Sequence, residues 1–226
     1  MGALASLARP ALTRPEAGRR WSASAWLLVR GDDDFVALAP GGTLGGSQAG
    51  ARLLYRLDRS AVRPLSISAR LYTPLRHSAG AEAALGLDWR PLAGIPIHLL
   101  AERWQRIGRD GRSAFSIAAY GGGSMALGRG VRLDAYGQAG IVGLRARDAF
   151  ADGAVRLAAP IGPVEAGGAV WAAAQPGAAR VDIGPQLTLP LRTGGATLRL
   201  SAEWRFRIAG EARPNSGPAL AIGADF

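Results

Sequence analysis

The chain has 226 residues, 48% of them hydrophobic, and carries a formal net charge of +10. No apolar run approaches the roughly 18–20 residues that a membrane-spanning helix needs, which excludes a helical membrane protein. Cysteine is absent, so disulfides and thiolate metal sites are excluded as well.

The positive charge has a compositional origin. All 27 basic residues are Arg, and they are spread evenly along the chain. A nucleic-acid-binding protein usually gathers its cations into one patch or stripe. Abundant Ala, Gly and Arg without Lys are also typical of a GC-rich genome. We therefore expect no nucleic-acid partner.

Residues 1–18 differ from the rest of the chain. Their apolar stretch, 3–8, is too short for a signal peptide, and no basic segment precedes it. We interpret 1–18 as a linker or residual N-terminal segment and 19–226 as one folded domain. Because an exported domain needs a signal, we expect this chain to come from a longer precursor or to have a misplaced start codon.

The remaining chain alternates apolar and polar residues. In 198–208, for example, every even position is apolar and every odd position is charged or polar. A strand places such residues on opposite faces, whereas a helix would scatter the charges around its circumference. We predict twelve strands, at 20–30, 48–58, 64–74, 80–90, 95–106, 112–120, 130–142, 149–159, 164–174, 179–191, 197–209 and 218–226.

The links between these segments alternate in character. Short links near 58–64, 91–95, 159–164 and 192–196 are expected on the periplasmic side, together with a Gly-rich link at 121–130. Longer or more charged links near 31–47, 106–112, 143–149 and 209–217 are expected outside the cell. Segments of about 9–11 residues in even number, joined in this way, are typical of bacterial outer-membrane barrels. We predict an all-β, antiparallel, up-and-down transmembrane barrel of about twelve strands in the outer membrane.

The C-terminal segment supports this prediction. Leu220, Ile222, Ala224 and Phe226 share one face, and Phe226 is the last residue. This pattern resembles the C-terminal strand signal of bacterial outer-membrane proteins. The resemblance implies that the barrel assembly machinery is a partner and that Leu220, Ile222 and Phe226 form the assembly signal.

Four further segments carry a narrower resemblance: 45–52, 134–140, 175–177 and 204–210. They are similar to parts of the C-terminal barrels of phage-adsorption receptor proteins. In that family a periplasmic helical-repeat part is joined to an outer-membrane barrel and linked to exopolysaccharide export. The resemblance covers roughly residues 20–226. It implies a passage or surface-receptor role, with a polysaccharide and a periplasmic helical-repeat domain or protein as partners.

The alternation assigns side chains to the two faces of the barrel. Trp21, Tyr55, Trp89 and Phe226 are predicted in the outer aromatic girdles, and Arg103 departs from the apolar outer pattern, which places it near a rim. The inward charged residues are expected to form either a basic pore for anionic solutes or a ladder of ion pairs that fills the lumen. We favour the ladder. The predicted inward charges are Arg52, Arg70, Glu82, Asp88, Arg90, Glu102, Arg132, Asp134, Arg180, Asp182, Arg199, Glu203, Arg205 and Arg207.

Aromatic residues on the same inward face have two interpretations. They could stack on sugar rings along the lumen, or they could fill gaps in a packed interior, and we favour packing. The candidates are Trp26, Tyr72, Tyr120, Tyr136 and Trp171.

Catalytic and metal sites find little support. The chain has two His, His77 and His98, and only His98 shares an inward face with a carboxylate, Glu102. No nucleophile motif accompanies that pair. Residues 121–123 are predicted as a turn, because no Gly-Lys-Ser/Thr follows them. Asp32–Asp34 lacks the spacing of a calcium loop. We expect neither metal nor cofactor.

The sequence thus predicts a non-enzymatic passage or surface-receptor component of the outer membrane, in exopolysaccharide export or phage adsorption. Two alternatives remain open. The first is an outer-membrane barrel hydrolase that uses the His98 region. The second is a soluble all-β carbohydrate-binding protein, which would bury one face of each strand in a core.

Overall fold

The structure, a computed structural model, describes residues 20–31, 44–58, 62–75, 80–143, 147–193 and 195–226. The predicted linker, His77 and Asp32–Asp34 lie outside these residues. The described residues form twelve strands: β1 (Trp21–Arg30), β2 (Gln48–Arg56), β3 (Leu65–Pro74), β4 (Glu82–Trp89), β5 (Ile97–Arg106), β6 (Ala114–Gly128), β7 (Val131–Val142), β8 (Asp148–Ile161), β9 (Val164–Gln175), β10 (Ala178–Thr193), β11 (Ala196–Ala209) and β12 (Gly217–Asp225).

These strands close into one barrel. Each strand pairs antiparallel with its neighbours in sequence, and β1 pairs with β12 to complete the ring. At that junction Ala23 and Phe226 exchange both backbone hydrogen bonds, at 3.3 and 2.9 Å. The prediction of an up-and-down, antiparallel, twelve-stranded barrel is confirmed.

Side-chain burial follows the alternation that the sequence shows. Along β12, buried and exposed positions alternate through most of the strand, and β5 does the same from Leu99 to Trp104. Because the sheet is closed, the buried side chains of each strand point into the barrel and the exposed ones point outward. The interior is the core of the molecule, and the outer surface is its apolar face.

Two rims follow from the strand directions. We define the upper rim as the end where β1 ends and β2 begins, and the lower rim as the end where β1 begins and β12 ends. The links predicted outside the cell all connect strands at the upper rim, and those predicted in the periplasm connect strands at the lower rim. The lower links include the short turns 129–130 and 162–163 and longer connections such as 90–96.

The predicted glycine-rich turn at 121–123 was wrong. These residues continue β6, which runs to Gly128, and the turn lies at Arg129 and Gly130. The reason is the close approach of neighbouring strands: a Cβ on Gly121 would lie 2.5 Å from the Pro96 carbonyl oxygen, and one on Gly122 would lie 2.5 Å from that of Ala135. Glycine here accommodates strand packing rather than a reversal of direction.

One glycine makes room for an inward aromatic ring. Trp26 on β1 pairs with Gly50 on β2, and a Cβ at Gly50 would lie 2.2 Å from the Trp26 indole. The bare backbone of Gly50 therefore lets the indole lie flat against the inner wall. No helix of the described residues is long and apolar enough to cross a membrane.

Candidate functional site in the barrel interior

The predicted inward charges lie at the inward positions of their strands or at the strand ends. Ten of them are buried: Arg52, Arg70, Glu82, Asp88, Glu102, Asp134, Arg180, Asp182, Glu203 and Arg205. Four are half-buried: Arg90, Arg132, Arg199 and Arg207. Arg90 and Arg207 lie near the two rims, where they donate to the Val62 and Ala212 carbonyls.

A central cluster joins β2 to β5. The Arg52 guanidinium pairs with Asp88 and donates to the Ser68 hydroxyl at 3.2 Å. Ser68 in turn donates to Glu102 at 3.2 Å, and Glu102 pairs with Arg70 at 3.0 Å. The charges alternate in sign along the wall, so each buried ion has a partner, as desolvated charges require.

His98 belongs to this cluster with a partner that the sequence analysis did not assign. His98 shares the inward face of β5 with Glu102, as the alternation indicated, but its Nδ1 atom lies 2.7 Å from Asp88 on the neighbouring strand. The Tyr120 hydroxyl donates to the same carboxylate, and its ring stacks on His98 with centroids 4.9 Å apart. Glu102 is out of reach, because residues four positions apart on one strand are separated by about 13 Å.

A second cluster lies near the lower rim. Arg132 pairs with Asp134 and Glu165, and Arg156 bridges the same two carboxylates. A further pair joins Arg199 to Asp225. These pairs span strands β7 to β9 and β11 to β12. They continue the alternation of sign around the lower end of the lumen.

A third cluster lies near the upper rim and depends on Asp182. Its carboxylate pairs with Arg30 at 3.1 Å and with two nitrogens of Arg180 at 2.8 and 3.0 Å. Arg30, at the end of β1, was absent from the predicted set. The sequence alternation could have identified Arg30, because it lies on the same face of the strand as Trp26.

The two arginines of this cluster also hold irregular segments. Arg180 donates to the backbone carbonyls of Leu44, Ala212 and Pro214. Arg30 donates to those of Gly45 and Asn215. Residues 44–47, which we call the inner segment, are buried at the upper end of the lumen. Backbone that enters a barrel needs such donors, because its polar groups otherwise lack partners.

The aromatic candidates lie on the inner wall and pack among the ion pairs. Trp26, Tyr72, Tyr120 and Trp171 are buried, and Tyr136 is half-buried. Three of the arginines stack on their neighbours: Arg52 on Tyr120 at 4.8 Å, Arg70 on Trp104 at 5.2 Å, and Arg205 on Trp171 at 4.4 Å. The arrangement resembles gap-filling more than a continuous track of open ring faces.

The interior contains a small cavity of about 20 Å³ beside the inner segment, which is room for about one water molecule. It lies between strands β7 to β11, and Asp152 on β8 lines it. Asp152 was also missed, although it shares the inward phase of Arg156. Its carboxylate accepts a hydrogen bond from Gln138. The other lining residues include Gly45, Tyr136, Ala154, Trp171, Ala173, Arg180, Asp182 and Arg205.

The outer surface is apolar over most of its height. Exposed side chains include Leu85, Ile117, Val155, Leu187 and Leu220. Trp21, Tyr55, Trp89 and Phe226 lie at the lower rim, and the first two rings meet at 4.5 Å. Phe115, Trp204 and Phe206, which the sequence analysis did not assign to a girdle, lie toward the upper rim. Arg103 is outward on the upper half of β5, with its guanidinium over Phe115.

No group of three or more His, Asp and Glu side chains among the described residues is placed to hold a metal ion. The charged interior and apolar exterior together define the class of protein. In a closed sheet the backbone N–H and C=O groups of every strand have hydrogen-bond partners, as a bilayer requires. An apolar outer belt between aromatic rims matches the lipid and its interfaces. The chain is a transmembrane β-barrel of the outer-membrane type.

Comparison with solved structures returns proteins of the same class. An outer-membrane channel from Pseudomonas putida F1 is 12% identical, with a TM-score of 0.49 over 91% of this chain and 94% of that chain. LpxR from Salmonella typhimurium is 13% identical, with a TM-score of 0.42 over 91% and 99% of the two chains. Wzi, a carbohydrate-binding capsule-assembly barrel of Escherichia coli, is 12% identical, with a TM-score of 0.31 over 81% and 52%. No protein-family model and no curated protein matches the chain.

Proposed function

We propose that this barrel is a passage or surface-receptor component of the outer membrane, acting on a polysaccharide in export or in phage adsorption. The contrast between its two faces carries the proposal. Charged and hydroxyl side chains line the interior from rim to rim, whereas the outer face is apolar. A polar wall allows a hydroxylated polymer to exchange its hydrogen bonds with water for hydrogen bonds with protein.

The lumen is narrow in this structure. Inward side chains of the central cluster are almost fully buried, and the inner segment occupies the upper end. Arg30 on β1 and Asp182 on β10 pair at 3.1 Å, although three strand positions separate their strands in the ring. Side chains from strands that are not neighbours therefore meet inside the barrel. Passage of a polymer requires displacement of the inner segment, whereas a receptor role does not.

The proposal includes three sets of partners. Outer-membrane lipid contacts the belt, and the barrel assembly machinery recognises Leu220, Ile222 and Phe226, all three of which are exposed. A periplasmic helical-repeat domain or protein delivers the polymer at the lower rim. The proposal includes no nucleic acid, since the buried arginines Arg52, Arg70 and Arg205 of the lumen are paired with carboxylates.

The two alternatives have weaker support, although the hydrolase would have a His98–Asp88 pair at 2.7 Å. Among the described residues, His98 makes no hydrogen bond to a Ser or Thr hydroxyl, so a hydrolase would lack an activated nucleophile. A soluble carbohydrate-binding barrel would expose polar side chains, whereas large apolar residues cover this outer face.

The test begins with envelope fractionation and a gel comparison of boiled and unboiled protein, followed by conductance in planar bilayers. We expect an outer-membrane location, a faster-migrating unboiled band and low conductance. Arg180→Ala removes the donors to Leu44, Ala212 and Pro214 and should raise the conductance severalfold. Arg112→Ala, which removes a partly exposed upper-rim ion pair, is the matched control and should not raise the conductance.

Two outcomes would contradict parts of the proposal. A detergent-free soluble protein without a mobility shift would reject the membrane barrel itself. An Arg180→Ala variant that keeps the mobility shift but conducts no more than the wild type would reject the passage role and leave the receptor role.

A further inference from the structure

Arginines adjoin the aromatic girdle of the lower rim. Three girdle aromatics have an arginine as their neighbour in sequence, in the pairs Arg20–Trp21, Tyr55–Arg56 and Trp89–Arg90. The first two pairs are also joined in space, because the Arg20 guanidinium donates to the Tyr55 hydroxyl at 3.1 Å. Girdle aromatics lie at the level of the lipid headgroups. These arginines therefore lie at that level too.

The links on this side of the rim expose apolar side chains. Val62, in the β2–β3 link, is 54% exposed, and Leu92 and Ile95, in the β4–β5 link, are 48% and 46% exposed. These residues lie outside the strands, so they extend the apolar surface of the belt beyond its lower end. Segments that combine apolar and basic side chains bind at bilayer surfaces, with the apolar groups buried about 5–10 Å into the headgroup region. The links are thus suited to lie in the membrane interface rather than in water.

The same side of the rim has an excess of positive charge. We define the arginine sector as residues 20–21, 55–58, 62–64 and 89–97. Its charged side chains are the basic Arg20, Arg56, Arg63 and Arg90 and the acidic Asp58. The Asp58 carboxylate also accepts the Leu65 backbone N–H at 3.3 Å. The sector therefore attracts anions, and a guanidinium matches the geometry of a phosphate group.

The other side of the lower rim lacks this combination in its described turns. Turns 129–130 and 162–163 are tight and contain no large apolar residue. Arg129 and Arg192 are exposed on that side, but neither is next to an aromatic residue in sequence. These two arginines therefore offer a comparison with equal charge in a different setting.

We propose that the arginine sector binds the headgroups of anionic phospholipids in the leaflet at the lower rim. Arg20 and Arg63 contact the phosphates, and Leu92 and Ile95 lie at the boundary with the acyl chains. An acidic protein would match the charge as well, but the sector is continuous with the apolar belt, whose neighbour is lipid. The inference goes beyond the proposed function, because it concerns the membrane around the barrel and not the polymer.

The experiment is native mass spectrometry of the detergent-folded barrel with equal amounts of phosphatidylglycerol and phosphatidylcholine that carry the same acyl chains. We expect the folded protein to retain phosphatidylglycerol in preference to phosphatidylcholine, and the preference to fall as the salt concentration rises. The double variant Arg20→Gln, Arg63→Gln should reduce the preference severalfold, since one arginine near an anionic surface raises the affinity about fivefold.

The matched control is the double variant Arg129→Gln, Arg192→Gln, which removes the same charge from the other side of the lower rim. It should keep the preference of the wild type. Every variant is first checked for the fast-migrating unboiled band, so that only folded barrels are compared. Equal retention of the two lipids by the wild type would overturn the inference and favour an acidic protein as the partner of the sector. An equal loss in the two double variants would also overturn it, because net charge alone would then explain the preference.

Discussion

At the scale of single residues, the interior depends on shared partners. Asp182 holds two arginines that arrive from strands three positions apart, and each arginine in turn holds backbone carbonyls of the upper links. Replacing a buried pair by apolar groups is often tolerated, whereas removal of one partner leaves a buried charge without compensation. The loss of stability caused by a substitution therefore depends on how many buried ions were paired with the side chain that is removed.

Asp182→Ala should be among the most destabilising single substitutions in this barrel. Asp182 is 1% exposed, and its loss leaves Arg30 and Arg180 buried together without a carboxylate. We expect a loss of about 3–5 kcal/mol in the free energy of unfolding, measured by denaturant titration of the band shift. Asp148→Ala breaks a more exposed pair with Arg112 and should cost less than about 1 kcal/mol. Equal costs for the two variants would contradict this prediction.

At the scale of strands, alternation predicted the existence and phase of every element but not every boundary. The error at β6 arose because glycine is informative about turns only when its backbone conformation requires it. Gly128 and Gly130 have positive φ, at 91° and 78°, and flank the real turn. Gly121 and Gly122 instead lie where neighbouring strands come too close for a Cβ. That distance depends on register, which the local sequence does not specify.

Two glycines within β6 allow a test of whether glycine there serves close strand packing or a turn. Gly121→Ala places a Cβ 2.5 Å from the Pro96 carbonyl and should destabilise the barrel by about 1–3 kcal/mol. Gly123→Ala, two residues further on the same face, meets no atom within 4 Å and should be neutral or slightly stabilising. Thermal loss of the fast-migrating band measures both. A larger effect at Gly123 would show that turn formation, not strand packing, governs this segment.

The interior site was only partly predictable for a related reason. Phase identified which side chains point inward, and the same phase would have included Arg30 and Asp152. The ion-pair partners could not be predicted from the sequence. Pairing depends on which strands lie two positions apart in the ring and on how far along the barrel axis each side chain lies. His98 shares a strand face with Glu102 but meets Asp88 on the neighbouring strand. The cavity likewise arises from side chains on five strands and the inner segment.

At the scale of the whole molecule, the apolar belt distinguishes a membrane protein from a soluble barrel with the same topology. Leu187, in the middle of β10, is 53% exposed, and Ile161, at the end of β8, is 63% exposed. In water, an arginine would have almost the same free-energy cost at either position. In a bilayer the two costs differ, because the cost of a charge depends on its depth.

Leu187→Arg should therefore cost about 2–4 kcal/mol for the barrel folded in lipid vesicles, and Ile161→Arg about 0–1 kcal/mol. Reversible unfolding in urea measures both free energies. If the two substitutions have the same small cost, depth has no influence at these positions, and the belt does not face lipid.

The seam between the first and last strands has a consequence for how the fold could be rearranged. Ala23 and Phe226 are hydrogen-bonded partners at the lower rim, so a short peptide could join the two ends without disturbing a single ladder. New termini could then be opened in any upper link, giving a circular permutant with the same ring of neighbours. Every strand would keep its partners, but the β12 residues Leu220, Ile222 and Phe226 would then lie in the interior of the chain. Such a permutant would test separately whether the barrel can fold and whether the assembly machinery recognises it.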